Sequence, residues 1–256
     1  MSNRDRQPTP PIQLEEDHHW WFASRTRALL KMINALSLPP AARILDIGCG
    51  AGNMIHHLSR YGHVKGVEID PRPVEVARQR GYDVEQGDAA SGLSDADDTF
   101  DLVTALDVIE HNQEDVRILR EAYRVLKPGG HIVVTVPAFM WLWSYNDDLN
   151  AHVRRYTRAD LKQRLEQAGF RTQRISYNNF FVFPLAAGLI LLRRGRGQRP
   201  QLASHHVSAE EYQVEMEPAP APLNAALTAI GWFEAQVLST VNLPVGTSLI
   251  ATGMKQ

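Results

Sequence analysis

The chain has 256 residues, 44% of them apolar and 22% charged, with a formal net charge of -2. That length allows one large domain, or one ordinary domain with an appendage, and a core that needs neither disulfides nor a structural metal. The charge lacks the basic footprint of a nucleic-acid binder, and the single cysteine, Cys49, excludes an intramolecular disulfide and fits a reducing cytoplasm.

Residues 1–13 are polar and proline-containing with no apolar stretch, so they read as a disordered tail without a secretory signal. Residues 14–39 read as an N-terminal helix or flap. It opens on His19-Trp20-Trp21-Phe22, and Leu29, Leu30, Ile33 and Leu36 recur at helical spacing until Pro39 and Pro40 stop it. Two readings of the aromatic cluster stay open. Its rings pack on the core, or they form a flap over a ligand pocket with Arg25 reaching an acidic group.

Residues 40–179 alternate strand and helix signals. Ile44 to Ile47 is a buried strand that runs into Gly48-Cys49-Gly50-Ala51-Gly52, and Asn53 to Tyr61 follows as a helix. Glycines suit a turn whose backbone takes unusual dihedrals or meets a ligand closely, and a helix start presents free N–H groups. Further strands are expected at Val64–Ile69, Val84–Asp88, Phe100–Leu106, His131–Val136 and Phe170–Tyr177. Helices are expected at Pro73–Arg80 and Glu114–Leu126, and from Thr157 to a stop at Gly169. Such alternation predicts a parallel sheet covered on both faces by helices.

Residues 180–245 read as a lid or membrane-proximal insertion, and 246–256 as the last strand of the core. Phe180 to Leu192 is almost wholly apolar, interrupted by Pro184 and Gly188, and ends in Arg193-Arg194-Gly195-Arg196. It is shorter than the ~20 residues a spanning helix takes, so it reads as a packed lid or as a contact of 180–196 with an anionic membrane face. Gln198 to Pro222 reads as a mobile loop. Leu223 to Val241 reads as a helix with Ala226, Ile230, Phe233 and Val237 on one face and Trp232 and Phe233 as a second wall.

Two ligand classes share a glycine turn after the first strand. Dinucleotide enzymes place a third glycine where this chain has Asn53, so that match fails. The spacing present, Asp46-x-Gly48-x-Gly50-x-Gly52, resembles motif I of class I S-adenosylmethionine-dependent methyltransferases. Gly66-Val67-Glu68-Ile69-Asp70, Gly87-Asp88-Ala89, Phe100–Asp107 and Leu126-Lys127-Pro128-Gly129-Gly130 resemble that family's later segments in order. The resemblance implies a Rossmann-like, seven-stranded, mostly parallel sheet with helices on both faces and a helical lid inserted before the last strand, and S-adenosylmethionine as cofactor. It implies Glu68 on the ribose hydroxyls, Asp88 on the adenine amino group, and Asp46, Gly48, Gly50, Ile69, Ala89 and Leu106 around them. Arg25 is the candidate for the cofactor carboxylate. The His-Trp-Trp-Phe leader and Trp141-Leu142-Trp143-Ser144 also resemble a bacterial subset often associated with cell-surface polysaccharide or lipid.

Methyl transfer to a hydroxyl needs alignment and a proton acceptor. Candidates lie beyond the fourth and fifth strands, where open parallel sheets bind ligands. They are His111 and His152, because histidine is the residue type whose ordinary pKa lies near working pH. Trp143, Tyr145, Arg154 and Arg155 are candidates for holding the acceptor, the arginines through phosphate or carboxylate. No His, Cys or acid spacing points to a metal. The expected partner is a small-molecule or lipid-linked acceptor, methylated at oxygen, in the cytoplasm or at the inner membrane face. Two rivals stand beside this reading: a cofactor-binding scaffold without turnover and a nicotinamide dehydrogenase.

Overall fold

A computed structural model describes residues 15–196, 205–207, 214–216 and 219–256. The expected tail at 1–13 lies outside these residues, as does most of the expected loop at 198–222. The elements in chain order are α1 (Trp20–Asn34), β1 (Ala42–Ile47), α2 (Asn53–Leu58), β2 (Gly62–Glu68), α3 (Pro71–Gln79), β3 (Asp83–Gln86) and β4 (Phe100–Leu106). Then come α4 (Asp115–Val125), β5 (Leu126–Pro137), α5 (Tyr145–Leu149), α6 (Arg158–Gln167), β6 (Arg171–Asn178) and α7 (Phe183–Gly195). The chain ends with β7 (His205–Val207), β8 (Val214–Met216), α8 (Ala221–Leu238) and β9 (Ser248–Met254).

Seven strands form one sheet in the order β3-β2-β1-β4-β5-β9-β6, with β9 antiparallel to both neighbours and the pairings from β3 to β5 parallel. Strands buried on both faces read as continuous apolar runs, and β4 and β5 are such runs: Leu102, Val103, Ala105, Ile132, Val133 and Val134 are all fully buried. The order reverses at β1, where the next strand in sequence, β2, lies on one side and β4 on the other. That is the crevice in which open α/β sheets hold ligands.

Local chemistry sets several boundaries. Asp70 caps α3 by accepting the Arg72 N–H at 2.9 Å, with Pro71 in the first turn where its missing N–H costs nothing. Thr157 and Asp160 form the expected capping box on α6, and Gly169 ends it with φ +103°. Pro184 does not interrupt α7, because it falls in the first turn, and the helix continues through Gly188 to Gly195.

α8 differs from expectation in the face it buries. Gly231, Glu234, Ala235 and Leu238 face inward, whereas Ala226, Ile230, Trp232 and Phe233 are exposed. α8 lies along α1: Lys31 donates to Gln236 Oε1 at 3.1 Å, the Trp20 N–H to Asn224 Oδ1 at 3.0 Å, and Asn224 to the His18 carbonyl at 2.9 Å. The N-terminal helix and the late helix therefore form one unit.

Candidate functional site

The glycine turn after β1 has the expected left-handed backbone, with φ of +67°, +54° and +84° at Gly48, Gly50 and Gly52. A Cβ on Gly48 would stand 2.4 Å from a methyl of Val108, so the loop after β4 demands glycine there. A Cβ on Gly50 would meet nothing within 4 Å, so the glycine there keeps the backbone open on that side.

Glu68, at the end of β2, accepts the Gly50 N–H at 3.0 Å through one oxygen and the Asp70 N–H at 3.0 Å through the other. A carboxylate has about four acceptor sites, so each oxygen retains capacity for a hydroxyl donor. Asp46 lies beneath the turn, almost wholly buried, and takes the Thr104 hydroxyl at 2.6 Å. Burial pushes its carboxyl up to about 7, against the Thr104 bond and the charge of Arg25. Asp46 therefore sets the floor of the site and does not face solvent.

Asp88 is turned to its own loop, accepting from the Ala90 N–H at 2.9 Å and the Ser91 hydroxyl at 2.6 Å. Ala89 and Leu106 are buried beside the site and Ile69 is 63% exposed.

The C-terminal end of β4 carries the densest chemistry. Asp107 sits at φ +56°, its carboxylate bonded to Thr135 at 2.9 Å and paired with Arg25 of α1 at 2.7 Å. Arg25 lies over the Trp21 ring, 5.8 Å from its centroid. The leader thus reaches an acid at the site edge, as the flap reading expects, and its rings are also half-buried. Arg25 is already paired, so its charge is shared with Asp107.

His111 and His152 meet edge to face with centroids 4.7 Å apart, although forty-one positions separate them in sequence (152 less 111). His152 Nδ1 stands 2.9 Å from Asp147, which Arg155 grips through both oxygens at 2.7 Å. The partners His152 and Arg155 outweigh burial and hold the Asp147 carboxyl well below the usual range. His111 is held below its ordinary value by burial and by the neighbouring His152. Beside them Glu110 is fully buried with neither carboxylate oxygen hydrogen-bonded. One donor atom from each of Glu110, His111 and His152 falls within 4.8 Å of the others.

Arg154 and Arg155 do not reach outward, as an acceptor-binding role would need. Arg154 pairs with buried Asp115 at 2.7 Å and with the Gln113 carbonyl, and Arg155 is spent on Asp147 and the Ala138 carbonyl. Both are drawn inward because Asp115 and Asp147 are buried carboxylates that must be paired. Trp143 donates to Asp148 at 2.9 Å, and Trp143 and Tyr145 are half-buried in the same loop. Sequence reading missed Glu110 and Asp147. The adjacency of Glu110 to His111 was the available signal, but nothing in it announces that the acid is buried.

A sheet with its crevice at β1, a glycine turn without bulk at Gly50 and an acid at the end of β2 with spare acceptor capacity define a nucleoside-cofactor domain of the Rossmann-like class. Residues 21–175 match the family described as "Methyltransferase domain". The chain belongs to that family, and its cofactor is S-adenosylmethionine. It is 32% identical over 132 residues to a ubiquinone biosynthesis O-methyltransferase of Hahella chejuensis, covering 45% of this chain and 55% of that one. Over 130 residues it is 30% identical to the protein of the same name from Pseudomonas entomophila, covering 45% and 56%. The chain thus spans about half the length of the curated relatives it matches.

Among solved structures, an S-adenosylmethionine-dependent methyltransferase from Mesorhizobium loti superposes with TM-score 0.59 at 17% identity, over 92% of this chain and 100% of that one. The [4+2]-cyclase SpnF superposes with TM-score 0.58 at 23% identity, over 92% and 83%. These likenesses concern the fold alone.

Proposed function

We propose that this chain transfers the methyl group of S-adenosylmethionine to an oxygen of a small or lipid-linked acceptor. The observation that carries the reading is the convergence of His111 and His152 beside the Asp107–Arg25 pair at the end of β4. When bound, the cofactor supplies a sulfonium methyl, which the acceptor oxygen takes as the carbon–sulfur bond breaks and its electron pair stays on sulfur. Gly48, Gly50 and Glu68 would hold the cofactor, with Asp88, Ala89, Ile69 and Leu106 around it and Arg25 toward its carboxylate.

The acceptor's hydroxyl proton needs a destination. Asp147, kept ionised by Arg155, fixes the Nδ1 proton of His152 and leaves Nε2 as the basic nitrogen. The neutral form favoured at His111 makes it a second acceptor. The name shared by both curated relatives supports oxygen as the methylated atom. Exposed Leu185 and Leu192 on α7, with Trp232 and Phe233 on α8, support a lipid-linked acceptor and a docking position at a membrane face.

Incubation with methyl-labelled cofactor and bacterial extract tests the reading. We expect label in an organic-phase product that survives mild base, as an ether does and an ester does not. Absence of labelled product, with S-adenosylhomocysteine still bound tightly, favours a cofactor-binding scaffold.

The cofactor half has its own test. Glu68→Ala removes a charge-assisted acceptor contributing about 1.5–3 kcal/mol, so S-adenosylhomocysteine affinity should fall by roughly ten- to a hundredfold with the thermal transition still cooperative. Unchanged affinity by calorimetry defeats the assignment.

A further inference from the structure

Among the described residues, Glu110 is the least explained group. Its side chain is fully buried, both oxygens lack a hydrogen-bond partner, and it lies among donors. A buried carboxylate without a partner is costly, so the group either takes up a proton or is paired by a cation. Two imidazoles are placed to share a partner with it, since one nitrogen each of His111 and His152 lies within 4.8 Å of its carboxylate oxygen and of the other.

We infer that Glu110, His111 and His152 form a binding site for a divalent transition-metal ion, with coordination positions left for the oxygen of an acceptor. Two imidazoles and one carboxylate are the donor set of Zn²⁺, Mn²⁺, Fe²⁺ or Co²⁺, whereas Mg²⁺ and Ca²⁺ take oxygen ligands. Three protein ligands with open positions are the pattern of a reactive site; structural zinc sites close all four. Bonds of ~2.1 Å bring donors to roughly 3–3.5 Å of one another, so donor atoms now up to 4.8 Å apart draw together by up to about 1–2 Å on loading.

The surroundings support the same assignment. Metal-bound histidines hold their other nitrogen on a carboxylate or main-chain carbonyl. His152 has Asp147 at 2.9 Å, itself anchored by Arg155 and the Ser144 N–H. The backbone also ties the ligands together, since the Val153 N–H donates to the Glu110 carbonyl at 2.8 Å. Ligand spacing in sequence conceals the site, because His152 arrives from the loop after β5.

Metal occupancy stands without the methyltransferase reading, but its use in acidifying an acceptor hydroxyl rests on that reading. A hydroxyl coordinated to the ion releases its proton to solvent more readily, and the imidazoles then serve as ligands in place of free bases.

Cobalt(II) titration of the chelator-treated full chain tests the inference, with visible absorbance and calorimetry as readouts. We expect one equivalent bound in the micromolar range or tighter, with a ligand-field band, and Mg²⁺ weaker by at least tenfold. Glu110→Gln keeps the shape and removes the charge, so cobalt affinity should drop at least tenfold while S-adenosylhomocysteine binding persists. His111→Ala, at a residue that still reaches solvent, should do the same if Glu110→Gln does not fold; His63→Ala, at the start of β2, should change nothing. Equal cobalt affinity in wild type and in either site variant overturns the inference, as does equal affinity for Mg²⁺. Loss of methyl transfer in His152→Ala with cobalt binding intact also overturns it and leaves the histidine-base reading standing. Intact cobalt binding without any methyl transfer leaves the metal site standing and refutes the activity.

Discussion

At the scale of single residues, Asp46 makes the sharpest pH prediction. Its carboxyl is raised from the ordinary ~3.9 to about 7, chiefly by burial. Between those values the folded chain holds a proton that the unfolded chain has released, so stability falls as pH rises through the window. A displacement of that size corresponds to about 4 kcal/mol lost by pH 8, on the order of 10 °C in melting temperature for a chain this long. Asp46→Asn keeps an oxygen for the Thr104 hydroxyl and removes the ionisation. The variant's melting temperature should lose that decline between pH 5 and pH 8, and parallel curves for the two proteins would sink the idea. The sequence named Asp46 as a site residue from its motif, and Glu68 likewise. It could not show that one acid is floor and the other is cradle, because that depends on Thr104, which arrives from β4. Glu110 was hidden for the same reason: a polar letter beside a histidine reads as surface until the fold buries it.

At the scale of elements, strands were more legible than the lid. β4 matched its expected bounds because a seven-residue apolar run between turn signals has one good solution. β5 began earlier than expected because Leu126 pairs with Phe100 across an irregularity in the register. α8 was misread in orientation, since a helix apolar nearly all round gives periodicity no face to choose. Its buried face is chosen by Gly231, which lets α1 approach so closely that an added Cβ would stand 1.8 Å from Ser24 Oγ. Glu234 then fastens the helix to the end of β6 by accepting the Asn179 and Phe181 N–H groups. Gly231→Ala should therefore destabilise by about 1–3 kcal/mol through overpacking, outweighing a helix-propensity gain of at most ~1 kcal/mol. Because α1 carries Arg25 to Asp107, the variant should also bind S-adenosylhomocysteine more weakly. Denaturant melts and calorimetry read both effects, and a stabilised variant would show that α1 and α8 are not held as described.

Across the whole molecule, the glycine-turn end of the sheet and the face made by α7 and α8 differ in what covers them. At the glycine turn, Asp46, Cys49, Ala89 and Leu106 are buried. α7 and α8 leave apolar side chains in the open: Leu185 is 63% exposed, Trp232 55% and Phe233 53%, with Phe181 against Phe233 at 5.5 Å. α7 ends in Arg193, Arg194 and Arg196, and Arg194 ties that end to the loop after β5 through the Trp141 and Trp143 carbonyls at 2.7 Å. No helix among the described residues is long and apolar enough to cross a membrane, so any lipid contact made by these helices is interfacial. Apolar side chains entering the acyl boundary and arginines near anionic headgroups act together in such binding, the latter at about 1 kcal/mol each. The chain should therefore co-sediment with phosphatidylglycerol-rich vesicles more than with phosphatidylcholine vesicles, and added salt should weaken the difference. Leu185→Asp and Trp232→Asp, both at exposed positions, should lower vesicle binding several-fold while leaving the melting temperature and S-adenosylhomocysteine affinity unchanged. Indifference to vesicle composition, or equal binding by wild type and both variants, would return α7 and α8 to the role of a lid and make the acceptor a water-soluble molecule.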